Sequence, residues 1–348
     1  MEKILIDTSG VRSEILIGGS MDALAGMLPE SGVVIVTDEN VKALYQAHFP
    51  SFPVLTVSPG EGSKQMEVIE QLSSKLLELG IDRSGFILGV GGGVVCDIAG
   101  FLASVYMRGI RCGYVSTSLL SQVDASTGGK TGVNVGSTKN ILGTIRQPEF
   151  VICDPSMLLT LSDEEYLSGL AELIKTAIIG DRELFDIIGR SHHEIMRRDA
   201  EILTLLVTRS VSFKASVVQE DEFENGLRRI LNFGHTFGHA IELQQSVKHG
   251  YAVASGMELA ALFSYEKGLI TSGEKDLIIN ILTRFGLLSD YDIQGERIRQ
   301  LLLHDKKKSG RDINFVFTEG LGKATVMKIS IDEITDFYNR FRNNKMGL

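Results

Sequence analysis

Two textures of apolar and polar positions divide the chain, and the first extends to Asp154. Val33–Thr37 and Phe86–Val90 are short continuous apolar runs, as expected of strands buried on both faces of a sheet. Between them, Gln65–Leu79 carries apolar residues at helical spacing and ends at a glycine. The alternation of such strands and helices predicts an α/β region built on a parallel sheet.

Beyond Asp154 the strand-like runs disappear, and long segments with helical spacing follow. These segments are Glu164–Ile179, Glu201–Val218, His235–Leu243 and Ala252–Lys267. We therefore predict a boundary near Asp154, with a sheet-containing domain before it and a helical domain after it. A cleft between two such domains is a common place for a ligand site.

The composition fits an ordinary globular protein. Of 348 residues, 43% are hydrophobic and 23% are charged, and the length is sufficient for two hydrophobic cores. The formal net charge of -9 argues against a nucleic-acid-binding protein, which needs a basic face. An anionic small substrate would therefore have to be held by a local cluster of cations.

The sequence also predicts a compartment. Three cysteines without a C-x-x-C spacing indicate reduced thiols. The N-terminus lacks the layout of a signal peptide, and no apolar run approaches the ~20 residues needed to cross a bilayer. We expect a soluble, cytoplasmic protein that binds neither membrane nor nucleic acid.

A run of glycines, Gly91–Gly93, joins the predicted strand Phe86–Val90 to a predicted helix, Val94–Ser104. Glycines let the backbone approach a pyrophosphate, and a helix N-terminus presents unpaired N–H groups to it. The run does not match G-x-G-x-x-G. A dinucleotide site and a plain tight turn between strand and helix therefore both stay open.

A second glycine-rich segment, Gly128–Thr131, resembles part of a P-loop. The glycine that a Walker A motif requires five positions before Gly129 is Asp124 here, so the spacing excludes ATP binding by this segment. Two interpretations are left, a loop that offers Lys130 to an anionic substrate and a plain surface turn.

The histidines predict a metal site. His235 and His239 stand four residues apart, on one face of a predicted helix, and His249 follows. With a carboxylate such as Glu172, they form a mixed nitrogen and oxygen ligand set suited to zinc or a similar divalent ion. A single histidine is more often structural, but three histidines within fifteen residues favour metal binding.

Cations accompany these motifs and are candidates for binding an anionic substrate. They are Arg108, Lys130, Lys139, Lys214, Arg228 and Lys306–Lys308. Charge runs usually mark solvated faces, which is the simpler interpretation of Lys308. Arg228 lies seven residues before His235, a placement that favours a shared pocket.

Taken together, the motifs resemble those of the 3-dehydroquinate synthases, a family of sugar-phosphate cyclases. The resemblance extends from Asp38 to Lys307, and its specificity comes from the order and spacing of several long motifs. These motifs are Gly91–Phe101, Tyr106–Gly109, Gln122–Asp124, Gly128–Asn134, Ala171–Lys175 and Asn232–His239.

The resemblance implies a fold and a set of metal ligands. An α/β Rossmann-like NAD-binding domain, residues 1–154, would precede an all-α metal- and substrate-binding domain, residues 155–348, with the active site between them. The implied ligands of a zinc or cobalt ion are Glu172, His235 and His249. His239 would then face the substrate instead of the metal. A homodimer is also implied.

Matching the family's motifs residue by residue assigns the remaining site positions. The implied NAD-binding residues are Asp38, Asn40, Glu61, Lys64, Gly92, Gly93, Asp97, Thr117, Ser118, Lys130 and Lys139. The implied substrate-binding residues are Arg108, Asp124, Lys130, Lys139, Asn140, Lys214, Arg228, Asn232, His239, Lys306 and Lys307. Catalytic roles are expected for Lys130, Lys175, His239, Arg228 and Asn232.

The implied reaction converts 3-deoxy-D-arabino-heptulosonate 7-phosphate (DAHP) to 3-dehydroquinate and phosphate, in the shikimate pathway of aromatic amino acid biosynthesis. It combines transient oxidation by NAD, elimination of phosphate, reduction and an intramolecular aldol closure. NAD is regenerated in each cycle. Much of the catalysis would then consist of positioning and charge stabilisation.

Three other functions are weighed against this one. A cyclase that makes an inosose or valiolone shares the fold, but it has no need for the carboxylate-binding pair Arg228 and Asn232. A metal-dependent polyol dehydrogenase of the glycerol type shares the domain layout, but it releases NADH and needs fewer cations. A non-catalytic NAD-binding module is disfavoured because all three implied metal ligands are retained.

Overall fold

The structure, a computed structural model, describes residues 1–8, 11–136, 138–245, 247–288, 291, 293–303, 308–309 and 312–346. Lys306 and Lys307, which the sequence predicts to bind substrate, lie outside the described residues. No helix in the described part of the chain is both long and apolar enough to cross a membrane.

Strands and helices alternate through the first part of the chain. The strands are β1 (Glu2–Thr8), β2 (Val11–Ile17), β3 (Val33–Asp38), β4 (Val54–Val57), β5 (Phe86–Gly91), β6 (Arg111–Ser116), β7 (Lys130–Val135), β8 (Thr138–Ile145), β9 (Phe150–Cys153), β10 (Lys308–Ser309), β11 (Asp312–Thr318) and β12 (Ala324–Ser330). The helices are α1 (Glu39–Tyr45), α2 (Met66–Glu78), α3 (Gly93–Val105), α4 (Asp163–Gly180), α5 (Arg182–Arg190), α6 (His192–Met196), α7 (Ala200–Glu220), α8 (His235–Gln245), α9 (His249–Glu266), α10 (Ser272–Arg284), α11 (Gly295–Leu303) and α12 (Ile331–Met346).

A seven-stranded sheet has the order β1-β2-β9-β6-β5-β3-β4. β1 pairs antiparallel with β2, and the other neighbours pair in parallel. Every residue of β5 is buried, as is every residue of β3 except Asp38. Strands covered on both faces have continuous apolar sequences, which is why these two were recognisable. The predicted parallel α/β sheet is confirmed.

The chain divides into two compact units. Unit 1 comprises Met1–Leu161 and Arg198–Phe223, and unit 2 comprises Ser162–Arg197 and Glu224–Leu348. Unit 1 therefore includes α7, which packs against β1, and the Asp7 backbone N–H donates to Gln219 Oε1 at 3.1 Å. Helical spacing in a sequence identifies a helix but not the sheet on which it packs. The assignment of separate functions to residues 1–154 and 155–348 stays a prediction.

Unit 2 is mainly helical, and α9 packs against both α4 and α8. It also contains a three-stranded antiparallel sheet of β10, β11 and β12, so the expectation that strands end at Asp154 is wrong. In β11, Ile313, Phe315 and Phe317 alternate with other residues and are buried. β12 is mostly exposed or half-buried, and its sequence therefore lacks an apolar run.

Candidate functional site

The glycine run forms the turn between β5 and α3 in unit 1, and close packing requires its glycines. A Cβ on Gly91 would lie 2.5 Å from the Cβ of Val95, and a Cβ on Gly92 would lie 3.2 Å from Ser118 Oγ. The first backbone N–H groups of α3 have no partner within the helix. The turn therefore has the features of an anion-binding helix N-terminus.

Predicted NAD-binding residues surround this turn at the carboxyl ends of the neighbouring strands β3, β5 and β6. They are Asp38, Asn40, Gly92, Gly93, Thr117 and Ser118. Asp38 ends β3 and caps α1, since its Oδ1 accepts from Val41 N at 2.9 Å. Thr117 follows β6, and its backbone N–H donates to Gly91 O at 3.0 Å. Ligands of open α/β sheets bind at this edge.

Lys64 lies at the centre of a polar network in unit 1. Its Nζ donates to Asp97 Oδ2 at 2.6 Å and to Asn140 Oδ1 at 2.5 Å, and it lies 3.6 Å from Glu61 Oε1. The Lys64 side chain is only 4% exposed. A buried ammonium is tolerated where acceptors surround it, and this network supplies them. The structure thus brings together the predicted cofactor residues Glu61, Lys64 and Asp97.

The charge of Asp97 depends on opposing effects. Burial raises the pKa of its carboxyl to about 6, although the adjacent Lys64 ammonium acts in the opposite direction. Near pH 7 the carboxylate form therefore predominates and pairs with Lys64.

The β7–β8 hairpin carries Lys130, Lys139 and Asn140. Gly128 and Gly129 precede it with φ of 98° and 71°, in the left-handed region that favours glycine. A Cβ on Gly129 would lie 2.8 Å from the backbone carbon of Arg146. The segment is therefore a constrained entry into the hairpin, which ends with the exposed side chain of Lys130 at the start of β7.

Two further predicted substrate residues of unit 1 form an ion pair. Lys214, on α7, donates through Nζ to the Asp124 carboxylate and, at 2.6 Å, to the Asp124 carbonyl. Arg108 lies elsewhere in unit 1, because it follows the C-terminus of α3 and the glycine turn precedes the N-terminus of that helix. The structure therefore does not place Arg108 beside Gly92 and Gly93.

Three side chains of unit 2 form a candidate metal centre. Glu172 on α4, His235 at the start of α8 and His249 at the start of α9 each offer one ligand atom, and these atoms lie within 4.8 Å of one another. Glu172 Oε1 lies 3.6 Å from His235 Nε2 and 3.2 Å from His249 Nε2. We call these residues the Glu172 trio.

The local fold positions each histidine of the Glu172 trio. A Cβ on Gly250 would lie 2.1 Å from the Ser168 carbonyl oxygen, so the glycine lets the start of α9 approach α4. His235 Nδ1 lies 3.1 Å from the Phe233 carbonyl oxygen, and His249 Nδ1 lies 3.3 Å from Glu242 Oε2. An oxygen acceptor at each Nδ1 favours the tautomer in which Nε2 is free to bind a metal ion.

The electrostatics of the trio follow from the proximity of a buried carboxylate to several cationic groups. Burial alone would raise the pKa of Glu172, but Lys175, His235 and His249 hold it well below its usual range. Burial would lower the pKa of His249, but its contacts with Glu172 and Glu242 raise it to about 10. The carboxylate is therefore ionised at neutral pH.

The chemistry of the trio fits a divalent cation. Within the described residues, neither Glu172 oxygen makes a hydrogen bond of acceptable geometry, although Lys175 Nζ lies 2.5 Å from Oε2. A buried carboxylate and two imidazole nitrogens are a hard, mixed donor set suited to such an ion. His239 is not part of the trio, but its ring centroid lies 5.3 Å from that of His235.

Other predicted catalytic residues of unit 2 lie on the same elements or just before them. Lys175 is one helical turn after Glu172 on α4. Arg228 and Asn232 lie on a short 3₁₀ helix, Leu227–Asn232, directly before α8. Arg228 is only 1% exposed, and Asn232 Nδ2 donates to Glu224 Oε1 at 2.5 Å.

Sequence reasoning missed three residues that contact predicted site residues, Asn134, Glu224 and Glu242. Glu242 follows His239 by three positions on α8, so helical spacing was a usable signal for it. Asn134 contacts Glu61, which lies 73 residues earlier, and no local pattern indicates such a pairing.

Comparison with known proteins gives a consistent result. The profile of the 3-dehydroquinate synthase N-terminal region matches residues 54–168, and that of the C-terminal region matches residues 169–308. A 3-dehydroquinate synthase from Streptococcus sanguinis (strain SK36) is 40% identical over 323 residues, which cover 88% of this chain and 90% of that protein.

Solved structures of related cyclases share the fold. The 2-epi-5-epi-valiolone synthase ValA from Streptomyces hygroscopicus subsp. jinggangensis 5008, with NAD+ and Zn2+ bound, is 26% identical with a TM-score of 0.87, over 97% of this chain and 98% of that chain. A 2-deoxy-scyllo-inosose synthase complexed with carbaglucose-6-phosphate, NAD+ and Co2+ is 24% identical with a TM-score of 0.85, over 96% and 98% of the two chains. From the two profiles and the 40% identity, the chain belongs to the 3-dehydroquinate synthase family.

Proposed function

We propose that this chain is a carbon–oxygen lyase that converts DAHP to 3-dehydroquinate and phosphate, with NAD and a divalent zinc or cobalt ion as cofactors. The observation that carries the proposal is the Glu172 trio, a metal-ligand set in a chain of the 3-dehydroquinate synthase family. The cofactors are supported by the related cyclase structures, which have NAD+ with Zn2+ or Co2+ bound.

The proposed NAD site is the carboxyl edge of the seven-stranded sheet, with the Lys64 network beside it. The N-terminus of α3 offers backbone N–H groups to a pyrophosphate, and Asp38 and Glu61 offer carboxylates to hydroxyl groups. Lys130 and Lys139, on the β7–β8 hairpin, add positive charge. These features together suit a dinucleotide better than a single phosphate.

The proposed substrate residues match the two anionic groups of DAHP. When bound, the metal ion supplies Lewis-acid polarisation of an oxygen and NAD supplies reversible hydride transfer. Arg228 offers a planar guanidinium that pairs with a carboxylate through two hydrogen bonds, and Asn232 lies on the same short helix. Arg108, Lys139, Asn140, Lys214, Lys306 and Lys307 are proposed to complete substrate binding. Lys175 and His239 lie near the Glu172 trio, where a group that transfers protons is needed.

The alternatives are less well supported. The valiolone and inosose synthases share the fold at 26% and 24% identity, below the 40% identity to a 3-dehydroquinate synthase. A polyol dehydrogenase of the glycerol type would need no site for a carboxylate, and buried Arg228 favours a substrate that has one. We also propose a homodimer in the cytoplasm, a compartment that suits the three buried, unpaired cysteines.

The experiment that tests this function mixes the purified full chain with DAHP, NAD and zinc or cobalt, and follows phosphate and 3-dehydroquinate together. We expect both products in equal amounts. His235→Ala should abolish both, while His193→Ala, an exposed histidine of α6, should leave them unchanged. Phosphate that stays on the substrate while a polyol drives NADH accumulation would instead support the dehydrogenase.

A further inference from the structure

Asn134, near the end of β7, makes contacts that its position in the sequence does not suggest. It is 7% exposed. Its backbone N–H donates to the Lys64 carbonyl oxygen at 2.8 Å, and its Nδ2 donates to Glu61 Oε1 at 2.9 Å. Its Oδ1 accepts from the Asn140 backbone N–H at 2.9 Å. One side chain thus connects three residues of the proposed NAD and substrate site.

We propose that Asn134 is a positioning residue that holds Glu61, Lys64 and Asn140 in the arrangement in which they bind the dinucleotide. The identity of the ligand rests on the proposed function. Asn134 itself contacts these three residues, and its role is to act through them.

The contacts of Asn134 require both a donor and an acceptor. Glu61 presents a carboxylate oxygen, which accepts a hydrogen bond, and Asn140 presents a backbone N–H, which donates one. Only an amide of this size supplies an N–H to the first and a carbonyl oxygen to the second. Aspartate would keep the acceptor, but it would place a second carboxylate against Glu61.

The contact with Asn140 has consequences for Lys64. Asn140 has a φ of 53°, a left-handed conformation that few residues other than glycine adopt, although asparagine tolerates it best. The bond from its backbone N–H to Asn134 stabilises this conformation. In the same conformation Asn140 Oδ1 accepts from Lys64 Nζ. Releasing the Asn140 backbone would therefore remove one of the acceptors that orient the buried ammonium.

The contact with Glu61 fixes a residue that is available to a ligand. Its side chain is 38% exposed, whereas that of Lys64 is 4% exposed. Glu61 Oε1 is held by Asn134, so the exposed carboxylate is presented in one orientation. Restricting a binding group before the ligand arrives lowers the entropy that binding must overcome.

A matched control exists on the same strand. Thr131 is 8% exposed, and its hydroxyl lies 3.2 Å from the Thr144 hydroxyl across the hairpin. None of its hydrogen bonds within the described residues reaches Glu61, Lys64 or Asn140. Thr131→Val therefore removes a buried hydrogen bond from the hairpin without removing the contacts of Asn134.

The test measures NAD binding by isothermal titration calorimetry and thermal unfolding of the full chain, for wild type, Asn134→Ala, Asn134→Asp and Thr131→Val. For Asn134→Ala we expect the Kd for NAD to rise about tenfold, the size of one buried hydrogen bond. Asn134→Asp should raise it further, although it keeps the acceptor. Thr131→Val should lower the unfolding temperature without raising the Kd.

The outcomes separate this role from the proposed function. Wild-type affinity in both Asn134 variants would overturn the positioning role and leave the function standing. An equal rise of the Kd in Thr131→Val would also overturn it, because the effect would then be general loss of hairpin stability. If the wild-type chain itself fails to bind NAD, the proposed cofactor is wrong and the positioning role is wrong with it. Should Asn134→Ala not fold, the nearly isosteric Asn134→Asp decides the question.

Discussion

The Lys64 network in unit 1 and the Glu172 trio in unit 2 both bury charged groups, but they compensate them differently. Around Lys64, the ammonium has the Asp97 carboxylate and the Asn140 carbonyl as acceptors at ordinary hydrogen-bond distances. In the trio, a carboxylate and two imidazole Nε2 atoms converge on one another. Acceptors paired with a donor make a self-sufficient network, whereas three converging ligand atoms are the arrangement that a cation requires.

This difference teaches which ligand each region suits. The Lys64 network is ordered by the protein's own hydrogen bonds, so it can present Glu61 and the hairpin to a dinucleotide in one arrangement. The trio is ordered from behind, through Phe233 and Glu242 at the two Nδ1 atoms, which leaves the Nε2 atoms for the metal ion. Each region should therefore be separable from the other by mutation.

The largest expected effect is loss of the metal site. Glu172→Gln replaces the carboxylate of the trio with a neutral amide, so zinc binding should be lost. Lewis-acid catalysis is worth several kcal/mol, so kcat should fall by about 10³-fold. NAD affinity should not change, because the Lys64 network is intact. Zinc content by atomic absorption and NAD titration check this, with Glu165→Gln, an exposed carboxylate on the same helix, as the control.

An equal loss of zinc and NAD binding in Glu172→Gln would contradict the separation of the two regions. Retention of zinc would contradict the trio itself.

The next largest effect is on the Lys64 network. Lys64→Met leaves the Asp97 carboxylate without its buried ammonium, and breaking one side of a buried pair costs about 3 kcal/mol of the free energy of unfolding. NAD affinity should fall and zinc content should stay the same. Urea denaturation measures the loss. Adding Asp97→Asn should recover part of it, and a double variant no more stable than Lys64→Met would refute the ion-pair account.

A smaller effect is expected at Glu242. Removing a carboxylate that orients a metal-binding histidine typically lowers metal affinity by about 10–100-fold. Glu242→Ala should therefore weaken zinc binding in a competition with a chelating dye, and Glu242→Gln, which keeps an acceptor, should weaken it less. Equal affinity in wild type and Glu242→Ala would show that the contact with His249 has no such role.

The smallest effect concerns the cysteines of unit 1. Burial raises the pKa of Cys112 to about 11 and that of Cys153 to about 12, and it also raises the pKa of Cys96. Since the thiolate is the reactive form, a disulfide reagent at pH 8 should modify no cysteine in the native protein and all three after denaturation. Fast modification of Cys96, in the first turn of α3, would mean that the glycine turn opens.

Local pattern predicted most of the α/β region. The strand predicted at Val33–Thr37 is β3, lengthened by Asp38, and the helix predicted at Gln65–Leu79 is α2, shortened by one residue at each end. Continuous burial imposes an apolar run, and one-sided burial imposes helical spacing, so both leave a mark on the sequence. The sheet of β10–β12 leaves a weaker mark, because one of its strands is largely exposed.

Long-range pairing could not be predicted from local pattern. Spacing alone suggests His235 with His239, but Glu172 and His249 complete the trio from α4 and α9. Only the family resemblance selects these ligands from the sequence. The partners Glu242 of His249 and Asn134 of Glu61 are set by tertiary packing, which no periodicity encodes.

The central claim is that this chain uses NAD and a metal ion in a cyclase reaction that regenerates the cofactor. The most direct measurement adds a large excess of DAHP to zinc-loaded protein that holds one equivalent of NAD, and follows phosphate and the absorbance of NADH. We predict many equivalents of phosphate per NAD, with no lasting accumulation of NADH. Phosphate release that stops at one equivalent, or NADH that accumulates with product, would contradict the account.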